Sequence, residues 1–591
     1  MCGIFGYIGQ SGNINTLIQG LKSLEYRGYD SAGLAYLNKT KEFVVVKRSG
    51  KVKELEKDLN LEEGFNVGIA HTRWATHGVA NEINAHPHIS YGKKFCLVHN
   101  GIIENYIELK EKYLKNIHIK SDTDTEIIVH LLERFYYKNI FETIKTVCKK
   151  IDGSYALAII AKDHPDKLFL AKKSSPLMFG TSANGFYFSS DVNTLSQFCQ
   201  KFYIMEDNEF TCLQKNNFFV FNQDKTNIKK KSNNFLTNNE NKKNVECYME
   251  QEILESPLAI KRTIESFEEQ FNKISKSFFN NIKNIYLVGC GTAYHSCLVG
   301  KKYLQKYFKV PILTEIANEF IYSDPLIFSN TLCIFTSQSG ETADTLLALK
   351  LAKQSGAKIL AITNNASSTI TFESKHSIIM QAGWEKAVAS TKAYVCQIAT
   401  FYLLAYYLLQ KQDFAKQNLD LLIKKILKIN GYKWAKCTSK IIPKYKKIIF
   451  IGRQLSYISA MEASLKLKEV TYINSIACAS GELKHGTLAL VDKDTLVIAI
   501  LNEKELIDKN LSTIKEISAR DGNLLILSPF KSNINYHCNG KITNLLLPEV
   551  QDELYPILCI IPLQKLACEL SKKLGFDPDM PKNLSKSVTV E

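Results

Sequence analysis

A chain of 591 residues is too long for one hydrophobic core, which stops growing near 250–300 residues, so about three domains are expected. Hydrophobic residues at 45% and charged residues at 23% are ordinary globular values and exclude wholesale disorder. The net charge of +16 does not point to nucleic acid: only seven of the 75 basic residues are arginine, and the lysines are scattered rather than gathered into a stripe. No window reaches the ~18 apolar residues of a membrane span; the longest candidate, Cys396 to Leu409, is broken by Gln397 and Thr400. The start, MCGIFGYIG, has no basic region ahead of an apolar one, so no signal peptide is expected. Fifteen cysteines without a CxxC pair suit buried thiols in a reducing cytoplasm better than disulfides or zinc.

In chain order, the first ~220 residues alternate short strand-like runs with few helices. The runs are Phe43–Val46, Val67–Ala70, Phe95–Val98, Tyr155–Ile160, Lys167–Ala171 and Phe218–Phe221, and Thr125 to Tyr137 is the clearest helix. This reads as an α+β layered domain. Asn222 to Asn244 is rich in Asn and Lys and reads as a linker. Beyond it the pattern changes to βα units: strands at 284–289, 331–336 and 358–363, a largely helical stretch from Thr391 to Leu427, then strands at 447–452, 495–501 and 523–527. The recurrence predicts a duplicated α/β domain with parallel sheets. Asn583 to Glu591, after Pro578 and Pro581, predicts no regular element.

Cys2 directly follows the initiator Met. Removal of Met1 would leave a thiol (pKa about 8.5) and an α-amino group (about 7.7–8.0) on one residue, and the amine could serve as base for its own side chain. Segment 71–78 carries the fixed cation Arg73, suited to a carboxylate. His99-Asn100-Gly101 offers a side-chain amide beside a glycine N–H, a plausible oxyanion pair. Asp124, just ahead of a helix, is an anion suited to an ammonium, whereas Asp122 reads as the helix N-cap. With Glu25–Ser31, these five separated motifs resemble the class II (N-terminal nucleophile) glutamine amidotransferases over roughly residues 2–220. The resemblance implies that Cys2 attacks the glutamine amide, that Arg73 and Asp124 hold the amino-acid carboxylate and ammonium, and that Asn100 and Gly101 stabilise the oxyanion. It makes Arg27 a supporting residue and places Trp74, Thr76 and His77 on the loop closing over glutamine. His86 and His99 read as packing histidines.

Farther on, Ser337, Ser339 and Thr342 lie where a strand gives way to a helix, and hydroxyls with free N–H groups at a helix start form an anion site. No Lys or Arg accompanies them and no GxxxxGK[ST] is present, so a single phosphate on a small molecule fits better than a triphosphate. Gly289-Cys290-Gly291 lacks the third glycine of a dinucleotide turn. The loop is similar to the sugar isomerase (SIS) phosphosugar-binding pattern. Further stretches at 290–292, 388–393, 465–469, 481–486 and 583–591 extend the resemblance over the whole chain, to the glutamine-dependent, isomerising aminotransferases of fructose 6-phosphate.

That resemblance implies a layered amidotransferase domain (2–220), a linker (221–245), two SIS domains (275–415 and 438–580) and an active-site tail (581–591). It implies glutamine and fructose 6-phosphate as substrates, no cofactor or metal, no nucleic acid or membrane, and at least a homodimer in the cytoplasm. The phosphosugar falls to Thr292, Ser337, Gln338, Ser339, Thr342, Val388 and Ser585. Lys586 is the amine for a Schiff base with the open-chain ketose, His485 the acid/base that opens the ring, and Glu469 the group moving a proton between the first two sugar carbons. Lys466, one turn before Glu469, stabilises developing negative charge, with Glu462 in support. Two departures stand out: Ala293 where the family has Ser, and Lys582 where it has Arg. A sugar-phosphate-sensing regulator with a decayed glutaminase is the rival reading, and the presence of Cys2, Arg73, Asn100, Asp124, Glu469 and Lys586 argues against it. A second rival, ammonia delivery to a phosphoribosyl substrate, needs a diphosphate-binding loop that is not visible.

Overall fold

The computed structural model describes residues 2–74, 78–222, 228–230, 232–234, 245–429, 431–530 and 542–588. The chain divides into two compact units. The first gathers Met1–Thr237 with the short segments Glu341–Ala343 and Ser587–Glu591; the second gathers Asn238–Gly340 and Asp344–Lys586.

The first unit is a layered α+β structure whose organisation follows from the two-residue period of its strands. In Gly3–Asn13, Ile4 and Ile8 face one side while Phe5 and Tyr7 face the other. Ile4 and Ile8 join Val98, Ala158 and Leu170 in a core between an eight-stranded and a six-stranded sheet. Phe5 and Tyr7 pack outward on Leu17, Ile18 and Leu21 of helix Ile14–Leu24. Strand Phe95–Ile103 does the same from the second sheet: Cys96 and Val98 point to the central core, Phe95 and Leu97 to helices Asp124–Arg134 and Ile140–Lys150. All the described pairings in both sheets are antiparallel, and Gly3–Asn13 lies inside the larger sheet between Gly64–Arg73 and Gly185–Ser189. A central strand therefore carries Cys2 at its entrance.

One expectation is corrected in this unit. Asp122 does not cap the helix: the N-cap is Thr123, and the Asp122 carboxylate instead accepts a bond from Asn84 Nδ2 at 3.1 Å. The Asn222–Asn244 segment lies mostly outside the described residues, yet its described part is anchored. Asn233–Asn234 pairs with Lys201–Ile204 at a sheet edge, Ile228 packs on the core, and Lys230 meets buried Glu209 at 2.7 Å.

The second unit holds two five-stranded parallel sheets with the same strand order, 2-1-3-4-5. In the first the order is Ile312–Ile316, Asn284–Gly289, Thr331–Ser337, Lys358–Thr363 and His376–Ile379; in the second it is Ser475–Ala479, Lys447–Gly452, Thr495–Ile500, Asn523–Ser528 and Ile542–Leu546. Their central strands are buried on both faces and read as continuous apolar runs, as parallel sheets require. Helix Lys392–Leu408, apolar all round, is enclosed by helices Tyr248–Asn272 and Thr292–Leu304. The longest apolar helix is not at 396–409: among the described residues Asp552–Lys573 has the length and hydropathy of a membrane span. That window is 89% buried, which makes it a core helix packed on Gln454–Thr471.

Ile498, fully buried in the middle strand of the second parallel sheet, has no polar role. Ile498→Ala should cost about 2–5 kcal/mol. The check is a lowered midpoint for the transition of this unit in thermal or denaturant unfolding.

Candidate active sites

Cys2 enters strand Gly3–Asn13 with its Sγ between the Trp74 backbone groups: the Trp74 N–H donates to Sγ at 3.3 Å, and Sγ lies 3.5 Å from the Trp74 carbonyl. Burial pushes the Cys2 thiol up, opposed by the Trp74 N–H and by Arg73. Arg73 ends the neighbouring strand and spends part of its fork on the Val79 and Gly78 carbonyls, both at 3.3 Å. Asn100 Nδ2 donates to the Cys2 carbonyl at 3.0 Å, while its buried Oδ1 has no partner. Gly101 has φ +140, and a Cβ there would lie 2.0 Å from the Ser154 carbonyl oxygen, so glycine is required at this position. Asp124 opens its helix; its Oδ2 accepts the Ile103 N–H at 2.8 Å and its Oδ1 the Thr125 hydroxyl at 3.3 Å. Trp74 is half-buried and edge-on to Tyr29 at 5.7 Å. Thr76 and His77 lie outside the described residues.

His71, His86, His88 and His99 pack in the interior. His71 bonds the His99 carbonyl at 3.0 Å, His99 reaches Thr125 at 2.9 Å, and His86 sits between His71 and His88. Burial holds His71 down at about 3, so it stays neutral. Arg27 is 4% exposed and forks onto the Tyr26 hydroxyl (3.0 Å), the Ser190 carbonyl (3.2 Å) and Asp191 (2.6 Å). Asp191 also caps the short helix Val192–Leu195. Sequence reasoning assigned Arg27 a supporting role and missed Asp191, which lies 164 residues away.

In the second unit the chemistry gathers at the carboxyl ends of the first parallel sheet, where the order 2-1-3 reverses direction and α/β folds hold ligands. Thr292 starts a helix after strand Asn284–Gly289, Ser337 ends strand Thr331–Ser337, and Gln338 and Ser339 follow it. Ser337 Oγ accepts the Gly340 N–H at 3.0 Å. Gly340, at φ +67, could carry no Cβ, which would meet Ser368 Oγ at 2.2 Å. Thr342 follows in the chain, within the 341–343 segment grouped with the first unit.

Helix Gln454–Thr471 brings Glu462, Lys466 and Glu469 onto one face. Lys466, 1% exposed, reaches Glu469 at 2.6 Å, the Thr292 hydroxyl at 3.0 Å and Glu462 at 3.4 Å. Glu462 also accepts from Thr292 at 3.1 Å and meets His295 at 2.7 Å, joining the second repeat to the first. Burial pushes the Glu469 carboxyl up although Lys466 opposes it, which suits a group that must both take and give a proton. Lys586 pairs with Glu385, wholly buried ahead of helix Lys392–Leu408. The Val388 N–H donates to the Asp579 carbonyl at 2.9 Å, tying the Val388 loop to the base of the tail that bears Ser585 and Lys586. His485 is exposed, on a short 3₁₀ turn, and makes no side-chain bond to the Lys466 or Lys586 groups among the described residues. Glu385, His295 and Asp579 escaped sequence reasoning; each matters through a neighbour more than 160 residues distant.

The second repeat is not a copy of this site. Its corresponding helix start, at Gln454, is filled from within: Glu503 accepts the Ser456 N–H at 2.9 Å and the Ser456 hydroxyl at 2.8 Å. A built-in carboxylate stands where an anion would otherwise bind.

A layered N-terminal domain opening on Cys2, followed by two parallel α/β repeats, is the architecture of a glutamine amidotransferase joined to sugar isomerase domains. The comparisons agree: a glutamine amidotransferase domain matches residues 71–197, and SIS domains match 278–407 and 441–570. Over 100% of both chains, the protein is 39% identical to glutamine–fructose-6-phosphate aminotransferase [isomerizing] of Clostridium perfringens and 40% identical to that of Clostridium tetani. The C-terminal domain of the Francisella tularensis glucosamine-fructose-6-phosphate aminotransferase is similar in structure, with TM-score 0.54 and 33% identity, covering 57% of this chain and 99% of that one. The chain belongs to the glutamine–fructose-6-phosphate aminotransferase (isomerizing) family.

Arg27→Ala should cost about 3–5 kcal/mol, because it leaves Asp191 buried without its cation. Burial pushes the Asp191 carboxyl up, but Arg27, Tyr26 and the Thr194 N–H outweigh it and hold it below the usual range. The unfolded chain therefore binds the proton first, and this stability is present above the ordinary carboxylate pKa of about 3.9 and lost as pH falls through the depressed value. Acid unfolding of the first unit should flatten over that window in Asp191→Asn, as read by hydrogen exchange of the 1–220 region.

Proposed function

We propose that this chain transfers the amide nitrogen of glutamine to fructose 6-phosphate and isomerises the product to glucosamine 6-phosphate, releasing glutamate. The observation that carries the reading is the pairing of a Cys2 nucleophile site in one unit with the Lys466–Glu469 and Lys586–Glu385 pairs of the other. At the first site Arg73 and Asp124 hold the glutamine carboxylate and ammonium, Trp74, Thr76 and His77 close over it, and Arg27 braces the pocket. The Cys2 thiol gives its proton to the α-amino group, and sulfur attacks the amide carbon while Asn100 and Gly101 hold the oxyanion. The C–N bond breaks as the leaving nitrogen takes that proton from the α-ammonium and departs as ammonia, and water hydrolyses the thioester to glutamate. Met1 must be absent, since an amide nitrogen is no base.

At the second site the sugar phosphate lies on Thr292, Ser337, Gln338, Ser339 and Thr342, with Val388 and Ser585 beside the sugar. His485 opens the ring, and its exposure in the single chain supports an active homodimer in which a second copy covers that surface. Lys586 forms the imine at the ketose carbonyl, and Glu469 moves the proton between the first two carbons with Lys466 and Glu462 beside it. Ala293 supplies no hydroxyl to the phosphate, and Lys582 sits exposed with its backbone N–H on the Tyr472 hydroxyl, so both departures bear on affinity rather than chemistry. The enzyme acts on small molecules in the cytoplasm, without cofactor, membrane or nucleic acid.

Incubation with both substrates should yield glucosamine 6-phosphate, and neither substrate alone should; product formed from fructose 6-phosphate without glutamine or ammonia refutes the reading. Cys2→Ala should reduce glutamine-dependent synthesis by at least about 10³-fold, as loss of a nucleophile does, while the second unit stays folded. Borohydride with fructose 6-phosphate should add the reduced sugar to the peptide bearing Lys586.

A further inference from the structure

Lys586 is 4% exposed, and a buried ammonium cannot attack a carbonyl until its proton has somewhere to go. Glu385 is the group in contact with it. That carboxylate is fixed from three other directions: Oε1 accepts the Thr391 N–H at 2.9 Å and the Ala393 N–H at 3.0 Å, and Oε2 accepts the Ser390 hydroxyl at 3.1 Å. Its side chain has no solvent exposure, so neither rotamer change nor water can replace the contact.

Among the described residues, Glu385 is the one anion bonded to Lys586. Lys392 is held by Glu255 at 2.7 Å, and Lys466 by Glu469 and Glu462. Glu252, on helix Tyr248–Asn272, is the remaining carboxyl facing the cluster. It accepts the Lys386 and Ala387 N–H groups through Oε1, and its buried Oε2 has no partner. Burial and the Glu385 charge push it up to about 8, so at neutral pH it is mostly uncharged and does not compete for the amine. Burial would raise Glu385 too, but Lys586 and the backbone N–H groups outweigh it and keep it ionised.

We propose that Glu385 is a further catalytic residue of the sugar reaction, holding the Lys586 amine, taking its proton and returning it to the leaving hydroxyl. This rests on the assignment of the imine to Lys586. The proton passes from the Lys586 ammonium to the Glu385 carboxylate, and the freed lone pair bonds the ketose carbon as the C=O π pair moves to oxygen. A proton moves from nitrogen to that oxygen, giving the neutral carbinolamine. Glu385 then returns its proton to the hydroxyl, which leaves as water, and the protonated imine faces the carboxylate again. Atoms and charge balance without an external base.

The alternative is that Glu385 only caps helix Lys392–Leu408. Glu385→Gln separates the two roles, because the amide oxygen can still accept the backbone N–H groups but the side chain takes no proton. In the full-length variant, borohydride trapping on the Lys586 peptide and synthesis should slow by about 100-fold, the usual scale for losing a proton-transfer group. The KM for fructose 6-phosphate and the rate of glutamine hydrolysis should stay near wild type. Trapping at the wild-type rate in Glu385→Gln overturns the inference while leaving the imine intact. Wild-type enzyme that traps no sugar on Lys586 overturns the imine assignment, and the inference falls with it. Should Glu385→Gln fail to fold, the stability of Lys586→Met is compared with that of Lys586→Met/Glu385→Gln. The single variant strands a buried carboxylate and should melt lower than the double; a lower or equal melting point for the double overturns the pairing.

Discussion

Charge taken out of water needs a partner of opposite sign or a set of hydrogen bonds, and the second unit is organised by that requirement. Lys466, Glu462, Lys586, Glu385 and Lys392 are all nearly or fully enclosed, and each is matched by an opposite charge, Lys466 and Glu462 within a network that includes Thr292 and His295. The network spans both repeats: Glu462 and Lys466 belong to the second, Thr292 and His295 to the first. Removing one member would strand another, so the two sheets cannot separate without exposing unpaired charge. The same arrangement places amines and carboxyls where a sugar phosphate can meet several of them at once.

The two repeats share a fold but differ at their helix starts. Both repeats have a parallel sheet of the same order, and both bring a helix N-terminus to the switch point. In the first repeat that end offers Thr292 and the adjacent serine turn. In the second it is satisfied by Glu503. The second repeat then contributes through the far part of the same helix, where Glu462, Lys466 and Glu469 fall on a face directed at the first repeat. One fold thus supplies an anion cradle once and a row of acid/base groups once.

The parallel strands were readable from sequence because strands buried on both faces are continuous apolar runs with glycine turns at their ends, and those at 284–289, 358–363 and 447–452 match residue for residue. The first unit was harder. Gly3–Asn13 contains four glycines and reads locally as a turn-rich segment, although packing between two strands makes it central. Asp122 looked like a cap because Ser, Asp and Thr cluster before the helix. The choice among them depends on Asn84, 38 residues away, which captures the Asp122 carboxylate. Cys2, Arg73, Asn100 and Lys586 stood out because their chemistry is carried by local motifs. Glu385 beside a lysine in a loop has no such signature, and only the fold brings it to Lys586.

The arginines carry a related lesson about composition. With seven in a chain so rich in lysine, two of the arginines stand where a planar fork does what a point charge cannot. Arg27 divides its nitrogens among a hydroxyl, a carbonyl and a carboxylate. Arg262 grips two successive carbonyls, Gln381 at 3.2 Å and Ala382 at 3.0 Å, just past strand His376–Ile379. That contact lies on the approach to Glu385, so helix Tyr248–Asn272 steadies the Glu385 loop from both ends, with Arg262 before it and Glu252 on the N–H groups after it. Lysine in place of Arg262 could hold one carbonyl but not set the angle between two. The precision of the Lys586 pair therefore begins on a helix that, among the described residues, makes no hydrogen bond to the lysine.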